Sequence, residues 1–493
     1  MAGKNEWDST LTFMLAMIGS AVGLGNIWRF PYIAYSHGGS NFILPYFVAI
    51  ITVGIPFIYV EYGVGYKYKA SLSKILKQFN EKFEFIGWFI LAIPYLILTY
   101  YACIIGWNII YLILSFSKGW GTDTETFFSQ TLLHSTSNPM GICYIVLPIF
   151  ISVIVVWLLI WSISRLDINE GLGKVCKILI PLLFIIMIGI VLYSYTLPGA
   201  SIGIYNLFAP PNNLNSFIHM YFNIDLWLDA FGQIVFSLSL GLCIMLTYAS
   251  YLSKNENLIK NGLIVALANF SFELFTATGI FSILGFMSLK EHVPVNNLIQ
   301  DGAGLAFIAL PKVFNVMGIA GYVIGPLFFI CLFFAAFTSA LALVEPLSSA
   351  LIDKFNISRK KATTLICGIG FLISIIFTSS YGVDLLTYFD QFLNQFGLLL
   401  TIILECVIFA WIYKTEDIIE ILNKNSNIKL GRKWKFIIKY FIPIIVGVLW
   451  INGNFDTFIT NNHMQTIIQL IIFATIIIIP LILTKMSPRS KKY

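Results

Sequence analysis

Apolar blocks separated by short polar gaps are the dominant pattern of this chain. Each block is about 20 residues or longer, the length that crosses a hydrocarbon core roughly 30 Å thick at about 1.5 Å per helical residue. Twelve spans are read, at about 9–35, 41–66, 86–115, 142–163, 176–197, 227–252, 259–288, 318–352, 362–380, 385–413, 436–452 and 465–485. Three gaps on one side are long, about 116–141, 198–226 and 289–317. The last carries Gly302, Gly304 and an apolar run from Leu305 to Leu310 before Pro311, read as a short helix folded onto the outer surface. No repeat, low-complexity segment or linker interrupts the pattern, so residues 1–493 read as a single membrane domain. The first block, beginning near Leu11, has no small-residue cleavage pattern behind it and is read as a span rather than a removable leader.

Charge adds orientation. Of the 30 Lys and Arg, 26 fall in alternate gaps on the side of the N-terminus, three (Lys118, Lys290, Lys312) fall on the other side, and Arg29 lies inside a span. Basic residues concentrate in cytoplasmic gaps, so both termini are expected in the cytoplasm, an even number of spans is favoured, and the chain is expected as a multi-pass protein of the cell membrane. The net charge of +6 does not point to nucleic acid, because the cations sit in these gaps. Composition agrees: 58% of residues are hydrophobic and 11% charged, against about 25% charged in soluble domains. The cysteines (Cys103, Cys143, Cys176, Cys243, Cys331, Cys367, Cys406) are all read within apolar stretches as small buried hydrophobes, with no CxxC pair.

The chemistry is expected where the apolar pattern breaks. Span one contains Gly19-Ser20-Ala21-Val22-Gly23-Leu24-Gly25-Asn26-Ile27-Trp28-Arg29. Each glycine weakens a helix by roughly 1 kcal/mol relative to alanine, and Arg29 inside a span costs roughly 2.5–3.5 kcal/mol on insertion scales. Small residues at helical spacing also suit a packing face, but packing accounts for neither Asn26 nor Arg29. A local unwinding accounts for all of them, freeing carbonyls on one side and amides on the other. Span six has Phe236-Ser237-Leu238-Ser239-Leu240-Gly241 at its middle. Paired interruptions in corresponding positions of two halves point to a transporter site. Span eight adds Ala335-Ala336-Phe337-Thr338-Ser339, whose hydroxyls either bond back to carbonyls one turn earlier or form an oxygen cage for a small hard cation. Four ionisable or amide groups are read inside spans: Glu61, Asn269, Glu273 and Asp390. Asn269 and Glu273 are four residues apart and share a face. Glu273 is either a sealed structural carboxyl or a charge carrier, and Asp390 is a candidate partner for Arg29.

These stretches resemble the neurotransmitter:sodium symporter family, most closely its prokaryotic amino-acid members. The residues from Gly19 to Pro31 look like its first-helix signature. His37-Gly38-Gly39, Gly54-Ile55-Pro56 with Glu61, Tyr100-Tyr101, Ser237 to Gly241, Thr247 to Tyr251 and Phe337-Thr338-Ser339 continue the match, over roughly residues 4–413. The resemblance implies an all-α membrane fold of 12 transmembrane helices. It would be a LeuT-type 5+5 inverted repeat (8–198 and 224–413) with helices one and six broken, and two peripheral helices at 433–485. It implies two sodium sites. The first would use the Ala21 carbonyl, Asn26, Ser237, Asn269 and the substrate carboxylate. The second would use the Gly19, Val22 and Ala335 carbonyls with the Thr338 and Ser339 hydroxyls. Such neutral oxygens suit a monovalent cation better than calcium, which recruits carboxylates.

The resemblance further implies a pocket of Ser20, Ile97, Tyr101, Phe236, Ser239, Leu242, Ser339 and Leu343 for the side chain of an amino acid. The substrate carboxylate would meet amides near Gly23 and Gly25, at the positive end of a half-helix, and the Tyr101 hydroxyl. The ammonium would meet carbonyls near Ala21, Phe236 and Ser239. The pocket is mostly apolar, which favours a hydrophobic or aromatic substrate, and Leu242 stands where the family's leucine-transporting members carry a larger phenylalanine, which suits a bulky one such as Phe, Tyr, Trp or a branched aliphatic. Arg29 and Asp390 would gate the outer side. Trp7, Tyr251 and Asp353 would gate the inner side, with Lys4 where the family commonly has arginine. Glu273 occupies a position that is neutral in chloride-dependent members, so chloride-independent transport is expected. The partners implied are an amino acid, sodium ions and the lipid bilayer, for a monomer or homodimer. A proton-coupled carrier and a non-transporting amino-acid sensor remain alternatives. Nothing marks an enzyme: the phosphate-loop lysine and HExxH patterns are absent and the five histidines are scattered.

Overall fold

The computed structural model describes residues 6–208, 221–295, 298, 302–460 and 463–487. The described residues are almost wholly helical, and one isolated antiparallel bridge, Ile145 with Ser379, is present among them. Ten helices are long and apolar enough to cross a membrane. They are span two (Ser40–Tyr68), span three (Phe83–Ser115), span four (Leu147–Ser164), span five (Asn169–Tyr195), span seven (Leu258–Glu291), span eight (Gly318–Phe355), span nine (Arg359–Thr378), span ten (Gly382–Ile412), span eleven (Arg432–Asn454) and span twelve (His463–Lys485). Span one is a pair, Thr10–Ala21 and Gly25–Ser36, bent by 54°. Span six is a shorter pair, Ile224–Ser237 and Ile244–Ala249. Counting each broken pair once gives the twelve spans the sequence predicts.

Span one starts where Ser9 caps it, its side chain accepting from the Thr12 amide at 3.2 Å. Its first half packs against spans five, seven and eight, while spans three and eight make the most extensive helix pairing in the bundle. The second half of span six lies against span two, where a Cβ on Gly65 would come within 1.9 Å of the Leu246 carbonyl. Only glycine lets those two backbones approach so closely. Spans eleven and twelve are 17% buried over their apolar windows, against 78% for spans three and eight. They are peripheral, as expected.

Three readings change. The helix within the third long gap runs from Gly302 to Val316 and is not laid on the surface. Leu305 and Phe307 are fully buried, and the Phe307 ring packs on Tyr111, Trp107, Phe329 and Trp28. The apolar run reads as superficial only while the aromatic wall it meets is unknown. Cys143 is exposed in the short turn Pro139–Cys143 before span four, while the other six cysteines are buried as expected. Span four begins at Leu147, after Pro139 and a run of extended backbone, so 142–146 are not part of it.

Candidate functional site

The breaks in spans one and six face each other, and their freed backbone groups are answered by named partners. In span one, helical bonding ends at Ala21, Val22 turns to an extended ψ of 93°, and the helix resumes at Gly25. The freed Gly19 carbonyl accepts from Thr338 Oγ1 at 2.9 Å and from Ser339 Oγ at 3.3 Å. The same hydroxyls reach the Ala335 carbonyl at 3.2 and 3.0 Å. The Ser20 carbonyl accepts from Ser239 Oγ at 2.9 Å, while the Ser20 hydroxyl bonds back to the Met17 carbonyl at 2.8 Å. The Gly23 amide donates to Asn26 Oδ1 at 2.8 Å, as when the third residue of a helix reaches back to the capping amide in a capping box.

Span six unwinds between Ser237 and Ile244 with Ser239, Gly241 and Cys243 all at positive φ (52°, 70° and 57°). A non-glycine residue in this region costs roughly 1–2 kcal/mol, and the Ser239 hydroxyl bond into span one offsets part of that. At Gly241 a Cβ would meet Ile402 Cγ1 at 2.6 Å and Thr401 Oγ1 at 2.7 Å, so this turn requires glycine. The Gly241 amide donates to Glu61 Oε1 at 3.1 Å and its carbonyl accepts from Thr401 Oγ1 at 2.9 Å. Spans two and ten thereby hold the break open.

Asn26, Asn269 and Ser237 come together in one hydrogen-bonded network. Asn26 Nδ2 donates to Asn269 Oδ1 at 2.8 Å, and Asn269 Nδ2 donates to Ser237 Oγ. The network runs on to Glu273. Its Oε1 accepts from Gln233 Nε2 at 3.0 Å and its Oε2 from the Tyr46 hydroxyl. Tyr46 also lies 3.3 Å from Ser237 Oγ. Asn269, Glu273, Gln233 and Tyr46 are all fully buried. Glu273 is therefore a satisfied buried carboxyl, its Oε2 accepting from Asn269 Nδ2 at 3.5 Å.

Tyr101 stands where the two breaks meet span eight. Its hydroxyl faces the Leu24 backbone amide and the Ser339 side chain. A Cβ on Gly23 would lie 3.2 Å from Ser339 Oγ and 3.7 Å from the Tyr101 hydroxyl, while one on Gly25 would meet nothing within 4 Å. The amide beside Tyr101 is therefore that of Leu24, and the Gly23 amide is already taken by Asn26. Ile97 and Tyr101, one turn apart, and Phe236 are half-buried, whereas Ser239, Leu242, Ser339 and Leu343 are buried. The Arg29 guanidinium lies 4.2 Å above the centre of the Phe236 ring. Asp390 Oδ1 accepts from Tyr100 and from Asn394 Nδ2, both at 2.8 Å.

At the opposite end, the N-terminal segment is latched down. The Trp7 amide and indole donate to the Tyr251 and Tyr248 carbonyls, both at 2.9 Å. The Tyr251 hydroxyl donates to Glu345 Oε1 at 2.7 Å, and Arg359 grips Glu345 with two bonds of 2.7 and 2.6 Å. Asp353 accepts from the Ser71 amide at 2.8 Å and from Lys74 at 3.4 Å. Lys4 lies outside the described residues. Asp8 binds Lys177, and that ammonium, with the Thr12 hydroxyl, holds the Asp8 carboxyl below the usual aspartate range.

Sequence reasoning missed Tyr46, Glu345 and Glu405. Glu405 is fully buried in span ten and accepts from Cys243 Sγ at 3.6 Å. Its charge was legible in the sequence, since a carboxylate inside an apolar span is a functional candidate by default. Glu345 was also legible, one residue before Pro346. Tyr46 carried no signal, because a tyrosine in an apolar run reads as core.

Comparison with known proteins follows the same lines. The model of the sodium:neurotransmitter symporter family matches residues 4–142 and 122–487. An uncharacterised sodium-dependent transporter of Methanocaldococcus jannaschii is 38% identical over 443 residues, covering 90% of this chain and 89% of that protein. A sodium- and chloride-dependent GABA transporter 2 of Rattus norvegicus is 28% identical, covering 90% of this chain and 78% of that protein. Among solved structures, the crystal structure of MhsT in complex with L-phenylalanine is similar with a TM-score of 0.76 at 28% identity, covering 92% of this chain and 100% of MhsT.

Proposed function

From the sodium:neurotransmitter symporter family, to which this chain belongs, we propose that it is a symporter importing a small hydrophobic or aromatic amino acid with sodium, by alternating access and without chloride. The family consists of sodium-coupled membrane transporters rather than enzymes. One observation carries the reading furthest: two hydroxyls of span eight and two backbone carbonyls, one of them at the break of span one, converge within hydrogen-bond distance of each other. Four neutral oxygens so placed suit a monovalent cation.

In this reading one sodium is held by Gly19, Val22, Ala335, Thr338 and Ser339, and a second by Ala21, Asn26, Ser237, Asn269 and the substrate carboxylate. The carboxylate takes the Tyr101 hydroxyl and the amides of the second half of span one. Gly25, with open space beside it, gives it room. The ammonium takes the Ala21, Phe236 and Ser239 carbonyls. Ile97, Phe236, Leu242 and Leu343 wrap the side chain, with Ser20, Ser239 and Ser339 at its base. The likeness to MhsT bound to L-phenylalanine favours an aromatic side chain over a small polar one.

Glu273 supplies a fixed negative charge beside the second sodium site. Tyr46, Gln233 and Asn269 donate to it, and a mobile anion is not required. Arg29 and Asp390 close the outer side; Trp7, Tyr251 and Asp353 close the inner side. The division into repeats at 8–198 and 224–413 with both termini cytoplasmic belongs to the same proposal.

A thermal-shift screen of the twenty amino acids in sodium chloride, sodium gluconate and choline chloride tests it. Phenylalanine, tyrosine, tryptophan or a branched aliphatic residue stabilises the protein in both sodium salts and in neither case without sodium, since a ligand that binds the folded state raises its stability by mass action. Stabilisation independent of sodium would favour a proton-coupled carrier.

A further inference from the structure

Spans four and nine diverge to leave an apolar groove of about 390 Å³ on the flank of the bundle. Its volume falls in the range of small-ligand pockets, roughly 300–1,000 Å³. Ile154, Leu158 and Trp161 form one wall, and Thr364, Gly368 and Phe371 the other. Trp157 closes the floor, its indole donating to Ser374 Oγ at 3.0 Å. A Cβ on Gly368 would meet nothing within 4 Å, so the groove is open at its middle.

Both walls end in a cation at the same end. Ile154, Leu158, Trp161 and Arg165 recur at helical spacing along one face of span four, and Lys360, Thr364, Gly368 and Phe371 along one face of span nine. The Arg165 guanidinium lies 4.2 Å above the Trp161 ring. The Trp161 indole donates to Thr364 Oγ1 at 2.9 Å, and that hydroxyl donates to the Lys360 carbonyl at 2.7 Å. Arg165 Nε is buried without a hydrogen-bond partner, and among the described residues neither Arg165, Lys360 nor Lys361 makes an ion pair. The neighbouring Arg359 is spent on Glu345. The exposed Asp167 acts on Arg359 as well.

We infer that this groove is a binding site for an anionic phospholipid, with one acyl chain between spans four and nine and the phosphate held by Arg165 and Lys360. Basic pockets between spans at the cytoplasmic boundary recognise anionic head groups, and here the apolar channel and the cations lie on the same two helical faces. A second copy of the chain fits less well. A two-fold interface across this face, with its axis along the membrane normal, would bring two sets of Arg165, Lys360 and Lys361 together. The inference rests on the proposed orientation, which puts this end of spans four and nine on the cytoplasmic side, and does not depend on the substrate.

The test is native mass spectrometry of the detergent-purified protein titrated with phosphatidylglycerol or with phosphatidylcholine of the same chains. The wild type retains one tightly held phosphatidylglycerol and releases phosphatidylcholine. The variant R165Q/K360Q binds phosphatidylglycerol about thirtyfold more weakly, two interfacial cations each being worth about fivefold. G368W, whose side chain enters the open groove, loses the tightly held lipid while keeping both cations. Melting points in lipid-free detergent, unchanged from wild type, show that both variants fold, and G368L replaces G368W if it does not. Equal retention of the two lipids, unaltered phosphatidylglycerol binding in both variants, or a dimer that G368W dissociates would each overturn the assignment.

Discussion

At the scale of single residues, Glu273 and Thr338 carry the most distinctive expectations. The Glu273 carboxylate satisfies donors from Tyr46, Gln233 and Asn269 in a fully buried site. In Glu273→Ser those donors keep their positions and lose their anion. Uptake by that variant should fall at least tenfold in gluconate and recover in chloride, measured as sodium-driven uptake in the two salts; uptake indifferent to the salt would contradict the role given to the carboxylate. Thr338 Oγ1 bonds to the Gly19 carbonyl at 2.9 Å. Thr338→Val keeps the shape and removes the oxygen, and should weaken the apparent sodium affinity about tenfold, in line with a hydroxyl worth roughly 1–1.5 kcal/mol. A sodium titration of substrate binding reads this directly. Asp8 adds a pH dependence. Its folded value is lowered by Lys177 and Thr12, so its contribution is present above the unfolded value of about 4 and is lost as pH falls through the lowered folded value. The gap in melting point between wild type and Asp8→Asn should therefore be constant from pH 5 to 7 and close below about pH 4.

At the scale of elements, the breaks in spans one and six were legible because glycine, serine and asparagine inside an apolar run contradict an uninterrupted helix. Which partners answer the freed groups was not. Glu61 stands out as a carboxyl inside span two, but nothing local says that it accepts from the Gly241 amide some 180 positions away. The same holds for Thr401 on the Gly241 carbonyl and Ser239 on the Ser20 carbonyl. The reading of 302–316 as a surface helix failed for the same reason, since its burial depends on Tyr111 and Phe329, which lie in spans three and eight. Side chains that act through non-local contacts leave no periodicity to read. Glu61→Ala leaves the Gly241 amide without its acceptor, whereas Glu61→Gln keeps an oxygen there. Substrate binding should be lost in the first and largely retained in the second, with equal loss in both contradicting the acceptor role.

At the scale of the molecule, the two ends of the bundle are joined to the breaks by different kinds of contact. One end is a latch of Trp7 on Tyr248 and Tyr251, braced through Glu345 by Arg359 at the start of span nine. Glu345 is 2% exposed, so Arg359→Gln strands a buried carboxylate, a change that costs roughly 3–5 kcal/mol. If the latch is the inner gate, that variant should also bind substrate more weakly as the inner side opens. The double variant with Glu345→Gln should regain much of the stability. The other end holds Arg29 over Phe236 and Asp390 against Tyr100, directly beyond Tyr101. The proposed substrate and sodium sites would lie between these two networks, and these contacts have no residue in common, which is the arrangement alternating access needs. The central claim is that a sodium gradient drives amino-acid accumulation through this path. Uptake of radiolabelled phenylalanine into chloride-free proteoliposomes, with an inward sodium gradient or an inward proton gradient alone, tests it most directly. The account predicts concentrative uptake with sodium and none with protons alone; accumulation driven by protons in the absence of sodium would contradict it.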